Sequence, residues 1–159
     1  MTKFAKALDT ALSPTRKAVY VAIVFMFGLQ VVVVFAQVVS RYVFNDPFSW
    51  TEELAKFLQV WIVLLASSVC IREGTHLMVD YLVHYLPPQF KKILSLVVTL
   101  LMMVFISVII ASGIKMMTLT WTDTSPALHL RMGIIYLVFP VAGGLMWLES
   151  LAVFLKQLR

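Results

Sequence analysis

The chain has 159 residues, of which 61% are hydrophobic and 13% are charged, and its mean hydropathy is +0.93. Soluble globular domains average about 45–50% apolar and about 25% charged residues, so this composition excludes an ordinary soluble domain and predicts an integral membrane protein. The net charge of +5 comes from basic residues that flank apolar stretches rather than share one soluble face, which argues against nucleic-acid binding.

Four stretches contain no charged residue and no histidine: 18–40, 57–71, 93–114 and 132–148. A membrane-spanning helix needs roughly 20 apolar residues, so the second stretch spans only if its helix begins near Trp50. Unpaired backbone groups are not tolerated in lipid, and the stretches lack the alternation of a barrel strand. The sequence therefore predicts four transmembrane helices. In chain order, the predicted segments are an amphipathic N-terminal segment at 1–13, helix 1 at 14–41, a hairpin at 42–49, helix 2 at 50–71, an amphipathic segment at 72–89, helix 3 at 90–118, a loop at 119–131, helix 4 at 132–155 and a tail at 156–159.

The basic residues predict the orientation of these helices. Nine of the 13 Lys and Arg residues lie on the side that holds both termini and the segment 72–92, and the other four lie on the opposite side. By the positive-inside rule, both termini face the cytoplasm, while the hairpin and the loop 119–131 are periplasmic. The first apolar stretch exceeds the roughly 7–15 residues of a signal peptide and has no small-residue cleavage site, so we predict a retained helix. The predicted fold class is an all-α integral membrane protein with four spans and short interfacial amphipathic helices.

The N-terminal segment and helix 1 carry two polar signals. Apolar residues recur at helical spacing in 1–13 beside basic residues, which suits either the inner headgroup layer or a frayed cytoplasmic tail. Ser13 and Pro14 match an N-cap followed by proline at the first helical position, so helix 1 is predicted to begin there. Gln30 and Gln37 lie two turns apart on one face. Amides in lipid form hydrogen bonds between helices, and the partner is either within this chain or on a second protein.

The run from Arg41 to Lys56 carries several charges between two apolar helices. Ser49 and Glu52 match the capping box that begins a helix, which places the start of helix 2 at Trp50. Glu52 and Lys56 are then four residues apart in the favourable acid-before-base order and are predicted to pair.

Glu53 has no local partner in this helix. Arg41, at the end of helix 1, is the predicted partner, because charges near the bilayer core are costly unless they pair or reach water. The alternative is a solvated rim in which Trp50 acts as an interfacial anchor.

A second polar stripe follows helix 2. Arg72, His76, Asp80 and His84 are each four residues apart in a segment that is otherwise apolar. This spacing predicts an amphipathic helix that lies at the cytoplasmic interface or packs under a partner.

Helix 4 contains Pro140 and the pair Gly143-Gly144. Pro140 leaves the carbonyl of Tyr136 without a helical hydrogen bond and predicts a kink. The glycines permit a neighbouring helix to approach closely.

The uncharged stretches also limit the function. Proton relays and ion paths normally need ionisable groups inside the membrane, and paired broken helices mark many secondary transporters; neither pattern is present. His76, His84 and His129 do not fall in facing spans, and no ligand spacing for zinc, catalytic triad or phosphate loop is visible. We therefore predict no enzyme activity, cofactor or metal. A self-contained homo-oligomeric transporter and a haem-bearing redox anchor are kept as alternatives.

Three groups of residues resemble the small membrane subunit of tripartite ATP-independent periplasmic (TRAP) transporters. They are Arg41-Tyr-Val-Phe-Asn45, Trp50-Thr-Glu-Glu-Leu54, and Arg72 with His76 and Val79-Asp80. The resemblance implies a non-catalytic subunit of the bacterial inner membrane. It also implies a separate large membrane subunit that transports an organic acid, often a sialic acid or a C4-dicarboxylate, driven by a sodium gradient, and a periplasmic substrate-binding protein.

The resemblance and the polar pattern together give a set of candidate contact residues. Four brace the outer ends of helices 1 and 2, namely Arg41, Glu52, Glu53 and Lys56. Asp46 and Asp123 offer a docking surface to the binding protein. Arg72, His76 and Asp80 hold the segment on the cytoplasmic side. The remaining candidates are Asn45, Trp50, Gln30 and Gln37.

Overall fold

The computed structural model describes residues 2–46, 48–73 and 88–157. These residues form helices α1 (Thr2–Tyr42), α2 (Ser49–Glu73), α3 (Pro88–Leu119), the short α4 (Met132–Tyr136) and α5 (Val138–Gln157). Four segments are long and apolar enough to cross a membrane: Leu12–Tyr42, Ser49–Arg72, Lys92–Leu119 and Met132–Leu155. The predicted all-α membrane fold class with four spans is confirmed.

Helix α5 lies at the centre of the arrangement. It packs along α2 and α3, while α1 packs along α2 and touches α5. Val138 and Ala142 are fully buried, and with Met146 they join Leu65 of α2 and Ile106 of α3 in one apolar cluster. This central position explains why a larger share of α5 than of any other described span is covered by protein.

The helices α1 and α3 lie at the edges and expose broad apolar faces. On α1 the exposed apolar side chains include Tyr20, Val21, Val24, Phe25, Val32 and Phe35. On α3 they include Ile93, Leu100, Leu101, Val104, Phe105 and Val108. In a bilayer such faces contact lipid chains or another membrane protein, and neither contact requires a polar partner.

Two glycines allow α3 and α5 to approach closely. A Cβ atom at Gly143 of α5 would lie 2.6 Å from Ile110 Cγ1, and a Cβ atom at Gly113 of α3 would overlap the side chain of Phe139. Gly144 has no atom within 4 Å of a Cβ position, so the predicted close approach applies to Gly143 alone of the pair.

The prolines of α1 and α5 have different effects on their helices. The sequence predicts a helix beginning at Pro14, whereas α1 continues through it from Thr2 to Tyr42. A proline removes one backbone hydrogen bond, and the many other helical bonds of α1 outweigh that loss. Between α4 and α5, the series of helical hydrogen bonds is interrupted at the Tyr136 carbonyl, which Pro140 leaves without a donor, while Leu137 keeps helical dihedral angles.

Candidate functional site

A carboxylate of α2 holds the loop between α3 and α4. The Oε2 atom of Glu53 accepts hydrogen bonds from Ser125 Oγ at 3.1 Å, from the Ala127 N–H at 3.1 Å and from the Leu128 N–H at 2.8 Å. Backbone donors that converge on a carboxylate form charge-assisted bonds, which are about twice as strong as neutral ones. We call this arrangement the Glu53–loop contact, and it fixes the loop against the start of α2.

The loop has its own internal structure. The Ser125 N–H donates to the Leu130 carbonyl at 2.8 Å, and the Met132 N–H donates to the Asp123 carbonyl at 2.9 Å. His129 takes a positive φ of 53°, which closes the turn. The side chain of Ser125 is only 1% exposed, and its Oγ also accepts the Leu130 N–H at 3.3 Å. Ser125 therefore connects Glu53 to the fold of the loop.

The predicted pair between Arg41 and Glu53 is wrong. Arg41 is exposed at the end of α1 and forms no ion pair within the described residues, while Glu53 is satisfied by the loop. The reason is that two backbone N–H groups and a hydroxyl meet the carboxylate without requiring a long cationic side chain to be ordered.

The beginning of α2 is partly as predicted. Glu52 Oε1 accepts a hydrogen bond from Lys56 Nζ at 2.7 Å, so the predicted pair is present. Both side chains are largely exposed, which limits the stabilisation that this pair gives. The hydroxyl bond found at the helix start is made by Thr51, which donates to the Phe48 carbonyl at 2.6 Å, rather than by the predicted Ser49 cap.

A groove that contains several polar side chains runs between the half of α1 that ends at Tyr42 and the half of α2 that begins at Ser49. Gln30 Nε2 donates to Gln59 Oε1, so one of the two predicted amides finds a partner within the chain. Gln37 lines the same groove two helical turns from Gln30. We call this surface the amide groove; it is lined by Gln30, Gln37, Glu52, Ala55, Lys56, Gln59 and Val60.

An ion pair at the other end of the helices was not predicted from the sequence. Arg16 of α1 donates from Nε to Glu149 Oε1 at 2.7 Å and from Nη2 to Glu149 Oε2 at 2.8 Å. Glu149 of α5 is only 5% exposed. A signal existed, because Glu149 follows the last uncharged stretch directly and lies inside predicted helix 4, where a buried acid needs a cation on the same side of the membrane.

The remaining candidates of the hairpin are exposed. Asn45 takes a positive φ of 52°, which turns the chain after α1. The Asp46 N–H donates to the Ser40 carbonyl at 3.2 Å, and this bond closes the same turn. The ring of Trp50 stacks on Phe48 with centroids 6.3 Å apart. These contacts shape the hairpin and leave the Asp46 side chain accessible.

The candidates outside the hairpin are more dispersed. Arg72 is exposed in the last turn of α2 and lines a small pocket together with Arg16 and Glu149. Asp123 is exposed in the α3–α4 loop, where its N–H donates to the Thr120 carbonyl at 3.1 Å. His76 and Asp80 lie outside the described residues.

The described residues do not suggest a catalytic or metal centre. Within 2–46, 48–73 and 88–157, no three His, Cys, Asp or Glu side chains come together as a metal site. The partly buried carboxylate of Glu53 and the buried carboxylate of Glu149 are both engaged by donors of the chain itself. Glu149 joins α5 to α1, and Glu53 joins α2 to the loop between α3 and α4, so both act as structural contacts.

Comparison with known proteins places the chain in a family. The family of tripartite ATP-independent periplasmic transporters, DctQ component, matches residues 30–159. The chain is 30% identical over 127 residues to a TRAP transporter small permease protein of Haemophilus influenzae, covering 80% of this chain and 79% of that one.

Two further relatives are longer proteins. The sialic acid TRAP transporter permease protein SiaT of Haemophilus influenzae is 36% identical over 125 residues, which cover 76% of this chain. The isethionate TRAP transporter permease protein DctMQ of Oleidesulfovibrio alaskensis is 36% identical over 112 residues, which cover 69% of this chain. The matches span only 19% and 18% of those two relatives. The chain is therefore a multi-pass inner-membrane protein that belongs to the DctQ family of TRAP transporter subunits, a family of membrane transport components rather than enzymes.

Proposed function

We propose that this chain is the non-catalytic scaffold subunit of a sodium-driven TRAP transporter for an organic acid of the sialic acid or C4-dicarboxylate class. A separate large membrane subunit moves the solute, and a periplasmic binding protein delivers it. The relatives named for sialic acid and isethionate transport support an organic anion as the substrate class.

One observation carries the scaffold role: the central part of every span is uncharged. The stretches 18–40, 57–71, 93–114 and 132–148 contain no ionisable Asp, Glu, Lys, Arg or His. At the inner end, the buried carboxylate of Glu149 is already engaged by Arg16. A path for an organic anion and sodium normally needs ionisable groups inside the membrane, and these stretches do not supply them.

The proposed docking surface is the outer end of the molecule. Asp46 and Asp123 are exposed on two connections that the helices hold on the same side of the bundle. The Glu53–loop contact fixes the second connection, so Glu53 acts as a positioning residue for docking. The exposed carboxylates of Asp46 and Asp123 would pair with basic groups of the binding protein.

Deletion of this chain alone in the native host tests the assignment. We expect sodium-driven uptake of the substrate to be lost and to return when the wild-type chain is supplied on a plasmid. An affinity-tagged chain purified from those membranes should carry the large subunit with it. Unchanged uptake in the deletion strain, or a tagged chain that never carries the large subunit, would overturn the proposal.

A further inference from the structure

The amide groove has hydrogen-bonding capacity that the chain itself does not use. Gln30 and Gln59 share one bond, from Nε2 to Oε1, which leaves the Gln30 Oε1 atom and the Gln59 Nε2 atom without a partner in the described part of the chain. The side chain of Gln37 makes no hydrogen bond among those same residues. Within hydrocarbon, each such group costs free energy until a partner is found.

The depth of Gln30 limits what can satisfy its amide. Gln30 lies twelve residues from the end of α1 at Tyr42, which is about 18 Å along a helix that rises about 1.5 Å per residue. The 31-residue span is about 46 Å long, against a hydrocarbon thickness of about 30 Å, so a centred span places Gln30 well inside the hydrocarbon. Acyl chains offer no hydrogen bond there, and a protein helix with a polar side chain does.

The surroundings of the groove suit a helix. A second, apolar furrow runs along the adjacent face of α1 and is lined by Phe27, Val31, Val34, Phe35 and Val38, with Gln30 at the border between the two. At the outer end, the exposed Glu52–Lys56 pair marks the level at which the groove reaches water. A helix in this position would bury apolar side chains in the furrow and place a polar one against the amides.

The comparison with relatives indicates which protein supplies that helix. In the sialic acid and isethionate permeases, the region similar to this chain is about a fifth of one longer polypeptide. The rest of such a polypeptide is covalently attached to the region that is similar to this chain. We infer that the amide groove is the seat of a transmembrane helix of the separate large subunit, which offers Asn, Gln, Ser or Thr to Gln30, Gln37 and Gln59. This inference rests on the proposed function.

A double substitution separates assembly from folding. In Gln30→Leu/Gln59→Leu, both partners of the internal bond become apolar, and such a replacement leaves the stability of the isolated chain nearly unchanged or slightly raised. Assembly should weaken about threefold for each lost interhelical hydrogen bond, hence about tenfold for the pair. The matched control is Phe25→Leu/Val32→Leu, which changes two exposed residues of α1 outside the groove and the furrow and keeps all three amides.

The measurement is titration of the purified large subunit against each variant in lipid nanodiscs, with thermal unfolding of the isolated chain as the second readout. A photocrosslinker at Val60, which lines the groove, should capture the large subunit, whereas one at Val32 should capture it less. If the wild type assembles but the glutamine variant binds equally well, the groove assignment fails and the scaffold role stands. Capture of a second copy of this chain at Val60 also overturns the assignment. If the wild type does not bind the large subunit at all, both proposals fail.

Discussion

Each end of the helix arrangement contains a carboxylate that is partly or fully buried, and different donors satisfy it at the two ends. At the end predicted to be cytoplasmic, here called the inner end, the carboxylate of Glu149 meets a guanidinium, so two charges are removed from water together. At the end predicted to be periplasmic, here called the outer end, the carboxylate of Glu53 meets two backbone N–H groups and a hydroxyl, so a single charge is held by neutral donors. The first arrangement locks two helices to each other, and the second gives a loop its position on a helix.

The consequence of losing the carboxylate therefore differs between the ends. Without the carboxylate of Glu149, Arg16 loses two charge-assisted hydrogen bonds in a site where its side chain is only 17% exposed, and breaking a buried pair on one side is costly. Without the charge on Glu53, the donors left behind are neutral, and two of them are backbone N–H groups of the partly exposed residues Ala127 and Leu128. The inner contact should thus govern stability, whereas the outer contact should govern docking.

The largest expected effect is that of Glu149→Gln. Removing one member of a buried pair costs about 3–5 kcal/mol, so the variant should show a much lower melting temperature and reduced yield in detergent. The double variant Arg16→Met/Glu149→Leu removes both charges and should recover most of the loss. Thermal unfolding of the purified chain measures both. A single variant as stable as the wild type would show that the inner pair contributes nothing to the fold.

A smaller effect is expected for Glu53→Gln. The amide oxygen still accepts one or two of the loop donors but without the charge, and the loss should be about 1–2 kcal/mol. Its main consequence should be weaker docking of the binding protein, measured as a higher Kd for the assembled complex. The substrate preference should not change, because Glu53 contacts no substrate in this account. A Kd equal to that of the wild type would remove Glu53 from the docking function.

Ser125→Ala should have a still smaller effect in the same direction. It deletes the hydroxyl that donates a hydrogen bond to Glu53 and accepts one from the Leu130 N–H. The expected cost is about 1 kcal/mol. Protease cleavage within 124–130 should become faster, which reports loosening of the loop directly. Equal cleavage rates would mean that the backbone bonds alone hold the loop.

Glu52→Gln is the matched control for the outer end and should have no measurable effect on melting temperature. Its side chain is next to Glu53 in sequence but is largely exposed and pairs only with Lys56 among the described residues. Exposed pairs of this kind contribute little. A loss in docking as large as that of Glu53→Gln would mean that acidic charge at this end matters, rather than the Glu53–loop contact.

Local patterns in the sequence were sufficient for some of these features. Four spans follow from the length of the uncharged stretches, and the Glu52–Lys56 pair follows from a spacing of four on a helix. The partners of Glu53 could not be read in the same way. They are 72–75 residues away, and two of them are backbone N–H groups, which every residue except proline carries.

The ion pair between Arg16 and Glu149 was only partly predictable from the sequence. Arg16 and Glu149 are 133 residues apart, but both fall near the same predicted side of the membrane and have opposite charge. The last uncharged stretch ends at Leu148, and no partner was predicted for Glu149, the next residue of the same helix. Gln59 was missed for a similar reason, since an amide in an uncharged stretch shows its partner only when α1 and α2 are set side by side.

Reconstitution of the purified chain alone in liposomes tests the central claim most directly. A sodium gradient is imposed, and uptake of radiolabelled sialic acid and of succinate is compared with uptake by empty liposomes and by liposomes that also contain the large subunit and the binding protein. The account predicts that the chain alone matches empty liposomes and that uptake requires the other two proteins. Sodium-driven uptake by the chain alone would contradict it.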